Sequence, residues 1–162
     1  MAPPGSGRNP YKFPIGNDRE QIQNTLLRNL KQVPGLQDVR LERSNTGVGY
    51  QLVGDIDTNV YADGIITCDE AYVQINWWPL HDEDDRHWYQ YHYYENSGFD
   101  CGWHRHQNDH VEGLDHYQER ESDNDEDYQY YETELTHSHP VGILWELLQG
   151  RLATRLEARH GK

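Results

Sequence analysis

Residues 103 to 110 read WHRHQNDH, which places three histidines within seven positions, with an arginine and an aspartate between them. The chain has ten histidines in 162 residues, so this stretch concentrates imidazole. An imidazole changes charge near neutrality and can both take and give a proton. Three readings fit the pattern: a metal site, an acid-base site working on a phosphodiester, or a polar strand surface that does neither.

For the metal reading, His104 and His106 lie two apart and project to the same face of a strand, while Arg105 falls on the opposite face. His110 would return from the following loop to meet them. Three imidazoles with an open fourth position hold Zn²⁺ and activate water. The spacing is not diagnostic, and Cys101 is the only cysteine close in sequence. No metal or other cofactor is therefore expected.

The acid-base reading needs one group to take the 2′-hydroxyl proton of RNA, one to protonate the leaving oxygen and a cation for the phosphate. The candidate catalytic residues are His92, His104, His106, His110 and His116, with Arg105 or Arg120 holding the phosphate. Upstream, the run WYQYHYY (88 to 94) offers Tyr89, Tyr91 and Tyr93 as substrate contacts; stacking on a base is worth about 1–3 kcal/mol. The plain alternative is that Tyr, Trp and His suit strands, and that a lysine-poor chain builds its polar sheet face from them. The gathering of these groups on adjacent strands speaks for the face more than for any one residue. Cys68, Cys101 and Trp103 read as packing.

Elements must position these side chains. Asn17 to Glu20 fits a capping box, and Ile22, Leu26, Leu30 and Val33 form a helical stripe that Pro34-Gly35 stops. Val48, Tyr50, Leu52 and Ile56 lie on one face of an extended segment whose other face carries Gln51, Asp55 and Asp57. Asp63-Gly64 signals a hairpin, after which Val73, Ile75 and Trp77 alternate with Gln74 and Asn76 until Pro79. The acidic loop HDEDD (81 to 85) leads into a strand at 86 to 95, which Asn96-Ser97-Gly98 turns back into 99 to 106. Residues 115 to 136 show no clear period and read as an acidic surface excursion. Pro140 then opens a second stripe through Val141, Leu144, Trp145, Leu148, Leu152 and Leu156. The expected fold is α+β: an antiparallel meander with an amphipathic helix from each end of the chain packed on it. Residues 1 to 16, with four of the seven prolines, read as a disordered arm ahead of a single domain at 17 to 160.

Composition sets the surroundings. The chain has 28 acidic and 14 basic residues, a formal net charge of -14, and only three lysines (Lys12, Lys31, Lys162). Such a surface repels nucleic acid in ordinary salt. Dispersed acid, scarce lysine and a 35% hydrophobic fraction suit a halophile cytoplasm, where a Debye length of about 3 Å at 1 M screens the repulsion. Two cysteines without metal or redox spacing and the lack of a long apolar run point to a cytoplasmic protein with no membrane partner.

Tyr89-Gln90-Tyr91-His92-Tyr93, a turn and strand, a His-rich segment and a Pro-led leucine helix follow one another in an order that resembles the TumE family of toxin-antitoxin toxins. The resemblance spans about residues 18 to 155. Asn108-Asp109-His110 looks like that family's loop with paired histidines, and His116 like the start of its second histidine cluster. Asp109 stands where such relatives carry the first of two adjacent histidines, and the proline usual after the pair is missing. The resemblance implies a toxin that acts on nucleic acid, by RNA cleavage with histidine acid-base chemistry, and a cognate antitoxin with a helix-turn-helix. The competing readings are a non-catalytic module binding single-stranded nucleic acid or a protein on an aromatic sheet face, and a metal-dependent hydrolase.

Overall fold

A computed structural model describes residues 19–43, 50–81, 86–106, 108, 110–125 and 127–161. Its framework is one antiparallel sheet in which each strand pairs with its neighbours in the chain: β1 (Leu36–Arg43), β2 (Tyr50–Ile56), β3 (Ala71–His81), β4 (Arg86–Glu95), β5 (Asp100–Arg105), β6 (Asp115–Arg120) and β7 (Gln129–Glu132). Helix α1 (Arg19–Leu30) precedes the sheet. A C-terminal helix follows it, made of α2 (Pro140–Glu146), a π turn (Leu147–Arg151) and α3 (Leu152–His160). This is the α+β meander with terminal helices that the patterning predicts.

Alternation gives the sheet two unlike faces. On one, Leu52, Val73, Ile75, Trp77, Tyr91, Tyr93, Cys101 and Trp103 form a single buried cluster with Ile22, Leu26 and Leu30 of α1 and Leu144, Leu148, Leu152 and Leu156 of the C-terminal helix. Val33 also joins this core, so both stripes read from the sequence face the sheet. Pro140 takes a first helical position, and Nδ1 of the capping His139 accepts the Val141 N–H at 3.2 Å. The other face carries Gln74, Asn76, His92, His104, His116 and Gln118. No helix among the described residues is long and apolar enough to cross a membrane.

Four local features depart from the expectation. β1 was not anticipated, because a bulge between Gln37 and Arg40, with Asp38 at φ 51°, breaks the period that would reveal it. Asp63 and Gly64 do adopt positive φ (59° and 73°), but in a 3₁₀ turn (Tyr61–Gly64) within the longer connection from Ile56 to Ala71. β3 continues past Pro79, which coincides with a break in register between Trp78 and His81, where no regular ladder bond is lost. Finally, the segment 115 to 136 is not merely a surface excursion: it supplies β6 and β7. β6 alternates buried His116 and Gln118 with less buried Tyr117 and Glu119, so a test for apolar alternation misses it. The arm at 1 to 16, Asn17 of the capping box, Val48 and most of HDEDD lie outside the described residues.

Candidate functional site

The polar face is built by register. Opposite pairs run Gln74, His92, Gly102 and Gln118 in one row, and Asn76, Gln90, His104 and His116 in the next. Along β5, Asp100, Gly102 and His104 alternate onto this face, and His106 continues the series beyond the strand end. Gly102 matters because it is empty. A β-carbon there would collide with the His92 ring, so only glycine lets that imidazole lie across β5 towards His104.

The result is a chain of hydrogen bonds ending in a histidine cluster. Asp100 Oδ1 lies 2.6 Å from His92 Nε2, and His92 Nδ1 lies 2.8 Å from His104 Nε2. His104 Nδ1 then faces His106 Nε2 at 3.4 Å. The other Asp100 oxygen accepts from Arg120 Nε at 2.9 Å, and the Arg120 guanidinium sits 4.8 Å over the Tyr128 ring. His116 completes the cluster, with ring centroids 5.5 Å from His104 and 5.1 Å from His106. Its Nδ1 lies 3.3 Å from the Leu114 carbonyl and its Nε2 3.2 Å from Gln118 Oε1. One nitrogen from each of His104, His106 and His116 falls within 4.8 Å of the other two.

Electrostatics follow burial. His92, His104 and His116 are buried, whereas His106 is half-buried. Burial, and then the neighbouring imidazoles of His92, His106 and His116, hold His104 well below the usual histidine range. Burial and His106 lower His116 as well. Burial alone would raise Asp100, but hydrogen bonds from His92 and Arg120 keep it below the ordinary carboxylate value. The cluster thus holds His104 and His116 away from charge and is backed by an anchored carboxylate.

Several expected members stand elsewhere. His110 is exposed and stacks on Tyr130 at 4.4 Å and 3°, so His116 takes the third place in the cluster instead. Arg105 points to the helix-covered face, where it is buried and bonds Asp115 Oδ2 at 2.7 Å. It is a structural cation there and does not face the histidines. Tyr89, Tyr91 and Tyr93 are also on that buried face, donating to Asp115 (2.9 Å), the Pro140 carbonyl (2.9 Å) and Glu95 (2.8 Å). Base stacking by these three is thereby corrected: odd-numbered positions of β4 belong to the core. Among the described residues, aromatic rings on the polar side include Tyr72 and Tyr94, stacked at 4.9 Å, with Trp78, Trp88, Tyr128 and Tyr130. Sequence reasoning missed Asp100, Gly102 and Gln118. The first two were detectable, since Asp-x-Gly-x-His-x-His continues one period-two series.

No family model matches the chain, and neither a curated protein nor a solved structure does so.

Proposed function

We propose that the protein is a TumE-like toxin that acts on RNA, is neutralised by a helix-turn-helix antitoxin, and uses the polar-face histidine cluster as its reaction centre. The observation that carries this reading is the chain from Asp100 through His92 to His104. A strand that only met water would have no use for imidazoles packed against one another, with His104 held from charging by burial and by its neighbours. RNA cleavage through the 2′-hydroxyl needs a lone pair to draw off a proton and positive charge at the phosphate. Imidazole lone pairs supply the first directly, or through an ion that they hold. Tyr72 and Tyr94, with Trp88 and Tyr130, take over the base-stacking role expected of the buried tyrosines.

The test is cleavage of RNA by the purified full chain, alongside growth arrest on expression without an antitoxin. His106 is the member to replace, because it is half-buried and its loss spares the core. His106→Gln should keep the fold by circular dichroism and lower cleavage about 10²- to 10⁴-fold, the usual range for losing a proton-transfer group. RNA that binds and stays intact would sink the toxin reading and favour a non-catalytic module using the same aromatic face.

A further inference from the structure

We infer that His104, His106 and His116 form a three-histidine site for a divalent transition-metal ion of the zinc class. This departs from the metal-free expectation and changes the third ligand from His110 to His116. It deepens the RNA-cleavage reading, on which only its catalytic consequence rests; metal binding itself stands on the geometry.

Hydrogen-bond logic fixes which atoms are bare. Arg120 pairs with one oxygen of Asp100, so the other acts as an acceptor and His92 Nε2 carries the hydrogen. His92 Nδ1 is then a lone pair, and it accepts from His104 Nε2–H. Nδ1 of His104 is consequently a lone pair too, aimed at His106 Nε2. His116 faces an oxygen at each nitrogen, the Leu114 carbonyl at Nδ1 (3.3 Å) and Gln118 Oε1 at Nε2 (3.2 Å); in the tautomer that donates Nδ1–H to Leu114, Nε2 is the ligand atom and an ion there takes the place of its contact with Gln118. A carboxylate that orients a ligand imidazole from behind is the usual support of a histidine metal site. Here one more imidazole, His92, is inserted between them.

Distance fits the same conclusion for the His104–His106 pair, and His116 offers its nitrogen within 4.8 Å of both. His104 Nδ1 and His106 Nε2 are 3.4 Å apart, long for a strong hydrogen bond. Two nitrogens on a tetrahedral zinc, each bound at 2.0–2.1 Å, lie roughly 3.3–3.4 Å apart. An all-imidazole set selects Zn²⁺ and its transition-metal neighbours over Mg²⁺ or Ca²⁺, which require oxygen ligands. Three protein ligands leave a fourth position for water or substrate, the arrangement of a hydrolytic centre rather than a structural one. The ion also answers a need on this face: of the two arginines expected to hold the phosphate, Arg105 lies on the other side of the sheet and Arg120 is committed to Asp100. A dication held by three neutral imidazoles supplies positive charge there, as a Lewis acid at the phosphoryl oxygen.

The experiment strips the full chain with a chelator, adds Zn²⁺, removes excess and measures bound metal, with Co²⁺ as a spectroscopic probe of coordination. One equivalent is expected, with tetrahedral Co²⁺ absorption. His106→Gln should lose it while retaining the fold, and His110→Ala should keep it, which separates this triad from the one read off the sequence. Asp100→Asn leaves all three ligands but frees the His92 tautomer, and should weaken Zn²⁺ binding about 10- to 100-fold. Should His116→Gln fail to fold, His106→Gln and His110→Ala still decide the question. No zinc on the folded wild-type chain, or zinc retained equally by His106→Gln, overturns the site. Metal bound with RNA left intact keeps the site and removes the nuclease reading; RNA cleaved equally by chelated protein keeps the nuclease and overturns the ion's catalytic part, while the site itself stands or falls on the bound zinc.

Discussion

Glu95 shows how much a single side chain joins. It is buried at the end of β4 and meets Arg159 (3.2 Å), His160 Nε2 (2.5 Å), Tyr93 (2.8 Å) and Ser97 (2.8 Å), with Cys68 close enough to feel its charge. Burial would raise its pKa, but the bonds from His160, Tyr93 and Ser97 and the charge of Arg159 bring it below the ordinary carboxylate value. A carboxylate whose pKa is lower folded than unfolded contributes stability that is complete above about pH 4.3, its unfolded value, and is lost as pH falls through the folded value. Glu95→Gln should therefore destabilise the chain at pH 7 by about 3 kcal/mol. That is the lower end for breaking a buried ion pair, because Arg159 keeps Glu121. The gap between wild type and variant should close as pH falls below about 4. Urea titrations across that range check it, and a gap independent of pH would show that shape rather than charge holds the site.

At the scale of elements, the C-terminal helix poses a geometric problem that its π turn solves. Leu144, Leu148, Leu152 and Leu156 repeat every four residues, whereas an α-helix turns once in 3.6. Each step of four drifts by about 40°, so an unbroken α-helix would carry the stripe off the sheet. The wider turn at Leu147–Arg151 takes up the drift, and all four leucines are buried. Tyr61 anchors this turn by donating its hydroxyl to the Leu148 carbonyl. Leu152→Ala should cost about 2–5 kcal/mol through lost burial and the cavity left. Tyr61→Phe, which removes one hydrogen bond, should cost only about 0.5–1.5 kcal/mol. Chemical denaturation ranks the two; a larger loss for Tyr61→Phe would mean the hydroxyl, and not leucine packing, seats the helix.

For the molecule as a whole, charge is the dominant fact. A formal net charge of -14 on 162 residues opposes compaction at low ionic strength. Part of the acid is locally neutralised, as with Glu119 by Arg155 at 2.7 Å and Glu121 by Arg159 at 2.7 Å. Asp123, Asp125 and Asp127 remain exposed acid. Screening shortens repulsion to about 3 Å at 1 M salt, which leaves contact pairs less affected than distant like charges. The melting temperature should accordingly rise steeply from dilute buffer to molar KCl. A midpoint that does not move would remove the argument for a saline habitat.

What the sequence by itself determined were the features written into local periodicity. Two amphipathic stripes, alternation in β2 to β5 and the Asn96-Ser97-Gly98 turn required a meander between terminal helices, and the structure has it. The same period put His104 and His106 on one face. It also separated Tyr91 from His92, although the tyrosines read as exposed when they were core. Tertiary structure alone decided the rest. Which face the helices cover is a matter of packing: both faces of β4 carry aromatic rings, so composition could not rank them. The pairing of β5 with β6 brought His116 opposite His104 across twelve residues, and no spacing rule predicts a partner on another strand. β6 itself was hidden because the face it buries is polar. His92 reaches His104 only across the missing side chain of Gly102, a contact set by register and not by any motif.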